Sequence, residues 1–170
     1  VITVGDREAM PEGDTHFDDV RGEPTTVDVD GDAVASMPYT SGTTGQPKGV
    51  RLTHDNIRAQ LLTNIAVRSD DLTPDEENSL VWLPLYHITG FVHTALQPLA
   101  RGGTLYIRSA ANWDAKEAMA TIEREEISSF IGVTAMYAYM VDDDSFGDYD
   151  LSSLVTASEG GAKLTGAVQD

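Results

Sequence analysis

Tyr39-Thr40-Ser41-Gly42-Thr43-Thr44-Gly45-Gln46-Pro47-Lys48-Gly49 is the stretch on which the reading of this 170-residue chain turns. It follows an apolar run and is itself followed by Val50-Arg51-Leu52-Thr53, which alternates as a strand does. The spacing therefore predicts two strands, Asp32 to Thr40 and Gly49 to Thr53, joined by a glycine-rich hairpin loop. Glycines let the backbone turn sharply and bring its N–H groups close to an anion. Thr40, Ser41, Thr43 and Thr44 add hydroxyl donors, and Lys48 adds a point charge. That combination is suited to cradling a polyphosphate. It is not a Walker loop, because the Gly-x4-Gly-Lys-Ser/Thr spacing fails and no hydroxyl follows Lys48. Pro47 also disfavours the helical region for Gln46, where that geometry needs a helix to begin.

Outward from the loop, strand and helix patterns alternate. Thr53 can cap a helix from His54 to about Arg68, with Ile57, Leu61 and Ile65 on one face and Leu62 beside them. Ser79 to Leu83 is a buried-type strand that Pro84 breaks, and a helix is expected from about Thr89 to Leu99. Gly102-Gly103 ends it before the strand Thr104 to Ile107. Asp114-Ala115-Lys116-Glu117 has a capping-box pattern and opens a helix to about Glu126. Ser128 to Val133 is a further strand, Ala135 to Val141 a helix, Asp142 to Asp150 an acidic loop, and Ser153 to Ala157 a last strand. Gly160-Gly161 reads as a turn. Such alternation predicts an α/β fold with a largely parallel sheet flanked by helices. Upstream, Val1 to Val4 is a strand candidate. Gly5 to Asp32 carries ten acids against two arginines and reads as a surface connector, with one turn of helix around Thr15 to Val20. Residues 1–33 are thus expected to be an acidic connector and 34–170 a nucleotide-loop subdomain.

Composition narrows the function classes. The net charge is −17, with lysine only at Lys48, Lys116 and Lys163, which argues against nucleic acid and anionic membranes as partners. The acids are interleaved with apolar segments, so they read as a solvated acidic surface, and adaptation to high salt is the expected reason. Cysteine is absent, which removes disulfides, thiol catalysis and thiolate metal sites. The longest apolar stretch, Ile88 to Ala100, is too short to span a bilayer, and no secretory signal is recognisable. No integral membrane association and a cytoplasmic location are expected. No dedicated metal site is supported. Asp28-Val29-Asp30-Gly31-Asp32 departs from a calcium loop, with Ala33 where glycine is needed and Tyr39 where the closing glutamate belongs. His87 and His93 are six apart, which is not a helical ligand pair.

Two more segments stand out. Leu83-Pro84-Leu85-Tyr86-His87-Ile88-Thr89-Gly90 lies between a strand and a helix, where α/β sheets place ligand groups. Read from the residues alone, Tyr86 and His87 fit either a pocket wall or a core tyrosine with a capping histidine. Ser158-Glu159-Gly160-Gly161-Ala162-Lys163-Leu164 could present backbone groups to a ring, or simply turn. Together with Tyr39 to Val50, these segments closely resemble the adenylate-forming superfamily of acyl-CoA synthetases, luciferases and peptide-synthetase adenylation domains. The superfamily's loop reads Tyr-Thr-Ser-Gly-Thr-Thr-Gly-x-Pro-Lys-Gly-Val, and Gln46 occupies the free position. The resemblance spans roughly residues 34 to 165. Glu159 and Lys163 depart from it: Glu159 is an unusual neighbour for the glycines, and Lys163 stands where proline is common.

The resemblance implies part of the large N-terminal domain of an ATP-dependent acid–CoA ligase, which activates a fatty or aryl carboxylate as an acyl-adenylate. A peptide-synthetase adenylation domain and a non-catalytic phosphate-binding module are the alternatives. It implies Thr40, Ser41, Gly42, Thr43, Thr44, Gly45 and Lys48 as phosphate-binding residues, and Gly160, Gly161 and Ala162 beside the adenine. Tyr86, His87, Gly90 and Phe91 would form the carboxylate pocket, with Lys48 and His87 acting in catalysis. ATP, Mg²⁺ and coenzyme A are the implied cofactors. The superfamily's adenine and Mg²⁺ segment, ribose-binding aspartate, hinge and C-terminal catalytic lysine are not found in the 170 residues, and the chain opens at Val1. A fragment of a longer protein, inactive by itself, is therefore expected.

Overall fold

The structure is a computed structural model that describes residues 2–3, 15–16, 19, 21–23, 26–41, 45–67 and 72–160. By contacts the chain separates into Val1–Asp30 and Gly31–Asp170. In the first unit, β1 (Ile2–Thr3) pairs in parallel with β2 (Thr15–His16). The helical turn expected around Thr15 thus starts as extended chain instead, because pairing with a distant segment overrides a weak local preference.

The second unit opens with β3 (Val34–Ser36), β4 (Tyr39–Thr40), β5 (Lys48–Gly49) and β6 (Leu52–Thr53). The expected hairpin is present, in two short ladders. β4 and β5 are antiparallel, with Tyr39 opposite Gly49 and Thr40 opposite Lys48. β3 and β6 are also antiparallel, with a register shift inside β3 between Val34 and Ser36, and Met37-Pro38 separates β3 from β4. Helix α1 (His54–Val67) begins at a reciprocal cap. Thr53 Oγ1 accepts from the Asn56 N–H at 3.1 Å, and Asn56 Oδ1 accepts from the Thr53 N–H at 3.2 Å.

The remaining strands form one sheet. β7 (Asn78–Val81), β8 (Thr104–Ile107), β9 (Ser129–Val133) and β10 (Thr156–Gly160) are all parallel, in the order β10-β9-β7-β8. A π-helical segment (Thr89–Leu96) running into α2 (Gln97–Ala100) connects β7 to β8. α3 (Ala115–Arg124) connects β8 to β9, and α4 (Thr134–Val141) connects β9 to β10. The first crossover moves one way along the sheet and the other two move back. Right-handed crossovers in opposite directions lie on opposite faces. α3 and α4 accordingly share a face, whose core contains Leu80, Trp82, Met119, Ile122, Ile127 and Phe130. The α3 cap is as expected: Asp114 Oδ1 accepts from the Glu117 N–H at 2.8 Å.

Two element boundaries need correction. The helix expected from Thr89 is π-wound over Thr89–Leu96, with the Gln97 N–H donating to the Val92 carbonyl five residues back. The strand expected at Ser153 to Ala157 runs instead from Thr156 to Gly160. Before it, Leu154 N–H turns back to the Leu151 carbonyl, and Ser153 Oγ donates to the Ile127 carbonyl. The ladder begins only where the Val155 and Thr156 N–H groups both reach the Ser128 carbonyl at 2.9 Å. Among the described residues no helix is long and apolar enough to cross a membrane.

Candidate active site

The strand order places a switch point between β7 and β9. There the chain leaves the two neighbouring strands toward opposite faces, and a crevice opens beyond their carboxyl ends. Trp82 to His87 leaves β7 at this point, and Thr134 leaves β9.

The turn that presents His87 is tightly specified. His87 N–H donates to the Pro84 carbonyl at 3.0 Å, and the His87 carbonyl accepts from the Phe91 N–H at 2.9 Å. A Cβ on Gly90 would sit 2.2 Å from the Pro84 carbonyl oxygen, so only glycine lets the helix start this close. Nδ1 of His87 accepts from the Thr89 N–H at 3.2 Å. A neutral ring bonded this way carries its proton on Nε2, which is then available as a donor. Tyr86 and His87 are both exposed.

The glycine-loop hairpin comes to this turn. A cavity of about 420 Å³ is lined by Ser36, Met37, Pro38 and Tyr39 from the hairpin side and by Leu85 to Ile88 and Phe91 from the other. A neighbouring one of about 460 Å³ adds Thr40, Ser41, Val50 and Leu52 while keeping Pro38, Tyr39 and Tyr86 to Ile88. Thr40, Ser41 and Lys48 are exposed at the base of the loop, with Lys48 directly across the ladder from Thr40. Gly45 has φ +82°, a left-handed conformation that favours glycine, and a Cβ there would meet nothing. Gly42, Thr43 and Thr44 lie outside the described residues, as do Gly161 and Ala162. Gly160 is not in a turn: it is the last residue of β10, paired with Val133. Gly90 is buried behind the turn, and Phe91 is half-buried and lines the first cavity. No cluster of metal-ligating side chains occurs among the described residues.

The structure adds residues that the sequence did not single out. Thr134 Oγ1 donates to Glu159 Oε2 at 2.6 Å. The Tyr137 hydroxyl lies 2.8 Å from the Phe130 carbonyl and 2.9 Å from that of Ser158. Burial pushes the Tyr137 hydroxyl well above the ordinary tyrosine range, and the nearby Glu159 charge adds to this. On the opposite face of the sheet, a cavity of about 480 Å³ is lined by Asn64, Thr89, His93, Gln97, Ser129, Ile131, Thr156 and Ser158, among others. Asn64 Nδ2 donates to Gln97 Oε1 there at 3.3 Å. His93 lines this cavity while His87 lines the first two, a separation that their six-residue spacing does not reveal.

Comparison with known proteins bears on this arrangement. A family model described as AMP-binding enzyme matches residues 1–170. A feruloyl-CoA synthase from Amycolatopsis sp is 35% identical over 155 residues, covering 91% of this chain and 30% of that protein. An anthranilate CoA ligase, solved in complex with anthranoyl-AMP, superposes with a TM-score of 0.72 at 25% identity, covering 90% of this chain and 30% of the other. The inhibitor-bound N-terminal domain of FACL13 from Mycobacterium tuberculosis has a TM-score of 0.75 at 24% identity, covering 91% of this chain and 39% of that one, and shows the shared fold. The chain thus spans about a third of the length of the relatives it matches.

Proposed function

The chain belongs to the AMP-binding enzyme family, and from that premise we propose that it forms the phosphate-loop and carboxylate-pocket portion of an ATP-dependent acid–CoA ligase. The observation that carries this reading is the meeting of the hairpin with the Tyr86-His87 turn around shared cavities at the switch point. About forty residues separate the two in sequence. In the first half-reaction a carboxylate attacks the α-phosphate of ATP, and pyrophosphate departs. The obstacle is charge, because an anion must approach a polyanion. Residues Thr40 to Gly45 supply amides and hydroxyls, and Lys48 a cation, to stabilise the departing phosphates. His87 is assigned to donate its Nε2–H to the acid's oxygen, a role that the bond from the Thr89 N–H to Nδ1 supports. Mg²⁺ would accompany ATP; the acyl-adenylate then passes its acyl group to the thiol of coenzyme A, the carbon–sulfur bond replacing the carbon–oxygen bond to phosphate as AMP and a proton leave. Gly160, Gly161 and Ala162 are assigned to the adenine side.

For the acid, we favour an aromatic one with polar substituents over a plain fatty chain. The cavity that begins at Thr89, two residues from His87, combines apolar walls from Val67, Pro98 and Ile131 with polar ones from amides, hydroxyls and His93. A bare alkyl chain would leave those groups unpaired, which is costly. The names of the feruloyl and anthranilate ligases above point the same way. The dense acidic surface fits an enzyme of a salt-rich cytoplasm.

The test is acid-dependent ATP–pyrophosphate exchange and thioester formation by the full-length protein, across paired acids such as cinnamate and 4-hydroxycinnamate, hexanoate and decanoate. Exchange with coenzyme A thioester formation on the hydroxylated aryl acid is expected. No exchange with any acid overturns the ligase reading, and adenylate without coenzyme A transfer favours a carrier-dependent adenylation domain. Residues 1–170 alone are expected to show no exchange.

A further inference from the structure

Glu159 breaks the pattern that its neighbours follow, and the structure supplies its counterpart. β10 lies at the edge of the four-stranded sheet and pairs there with β9. Its last rung joins Gly160 to Val133, and the residue after Val133 is Thr134, the first of α4. From this position Thr134 Oγ1 donates to Glu159 Oε2 at 2.6 Å, so a side-chain bond closes over the final backbone rung. One turn later, the Tyr137 hydroxyl reaches the Ser158 carbonyl. The strand leads directly into Gly160-Gly161-Ala162. A hydroxyl donating to a carboxylate makes a shorter bond, roughly twice as strong as a neutral one.

We propose that Glu159 and Thr134 form a positioning pair that holds the carboxyl end of β10 against the start of α4, setting the backbone of Gly160 for the nucleotide. The inference rests on the ligase reading and deepens it. It makes Thr134, at the crevice, the anchor, and Glu159 the link. Neither residue touches the reacting atoms; both act through the backbone between them and the nucleotide. The pair therefore acts on the affinity for ATP more than on that for the acid, whose proposed cavity meets β10 at Thr156 and Ser158.

Full-length Thr134→Val and Glu159→Ala test this, with Thr134→Ser and Glu159→Gln as variants that keep a donor and an acceptor. The KM for ATP in the exchange reaction is expected to rise about fivefold in Thr134→Val and Glu159→Ala, with the KM for the acid within about twofold of the parent. Thr134→Ser and Glu159→Gln should stay within about twofold for both substrates, and the double variant Thr134→Val/Glu159→Ala should be no worse than either single one. Equal changes in both KM values, an unchanged KM for ATP, or multiplicative losses in the double variant would overturn the pair. Amide hydrogen exchange at Glu159 and Gly160, read without substrate, should be faster in Thr134→Val. Unchanged exchange there overturns the pair whatever the activity, whereas an inactive parent enzyme overturns the ligase reading instead.

Discussion

At the scale of single residues, the site depends on one cation and one missing Cβ. Lys48 stands across from Thr40 at the base of the loop, and the chain has only two other lysines. Lys48→Ala in the full-length protein should lower kcat/KM for ATP by about two orders of magnitude, as for other lost phosphate-stabilising donors. It should leave the melting temperature near that of the parent, because the side chain is exposed. Steady-state kinetics beside a thermal melt will show both. Gly90 acts through space: a Cβ 2.2 Å from the Pro84 carbonyl must push the turn and the helix start apart. Gly90→Ala should cost about 1–3 kcal/mol in a denaturant titration and raise the KM for the acid, because His87 hangs from the same turn. Tyr39 to Gly49 was legible as a hairpin loop with the chemistry to suit phosphate, because glycine, hydroxyl and lysine act locally. The Thr134–Glu159 bond was not, because nothing local marks two residues twenty-five positions apart as partners.

At the scale of elements, caps and turns explain where the chain changes direction. Glu76 accepts from the Thr73 N–H at 2.9 Å and from its hydroxyl at 2.8 Å, closing the turn Pro74–Glu76 that leads into β7. These bonds, the backbone one foremost, hold the Glu76 carboxyl below its ordinary range. The Ser145 hydroxyl and N–H do the same for Asp143, and those of Ser152 for Asp150. A depressed carboxylate favours the folded state above its unfolded value, and that contribution disappears as the pH falls through the lower folded value. The melting temperature should therefore decline below about pH 4, and Glu76→Gln should flatten part of that decline. Thermal melts across an acid series would reveal an unaltered slope if the turn contributes nothing. The helices from His54 and Ala115 were readable because Thr53 and Asp114 announce them. The π-helical winding at Thr89–Leu96 and the late start of β10 were not, since each depends on what packs beside it.

At the scale of the whole molecule, charge and topology dominate. Twenty-eight acids against eleven lysines and arginines give a self-repelling surface. Salt screens such repulsion, with a Debye length of about 10 Å at 0.1 M and about 3 Å at 1 M. The full-length protein should melt at a higher temperature in molar potassium chloride than in dilute buffer, and an unchanged or lower midpoint would remove the salt-adaptation reading. Inside, the charges are managed individually. Glu77 is fully buried and pairs with Arg101 at 3.0 Å, tying the entry of β7 to the end of α2. No periodicity in the sequence distinguishes that glutamate from the exposed ones beside it.

By itself the sequence determined the alternation of strands and helices, the hairpin around the glycines and the chemistry of the loop, because these rest on local spacing, capping and turn residues. Only the tertiary structure decided that the hairpin and the Tyr86-His87 turn share cavity walls, that His93 and Gln97 line one chamber, and that Thr134 bonds Glu159. The bond between Thr134 and Glu159 follows from the order β10-β9-β7-β8, while the hairpin, in ladders of its own, reaches the turn after β7 by packing alone. Strand order is a property of long-range pairing and of right-handed crossovers, so no window of neighbouring residues contains it.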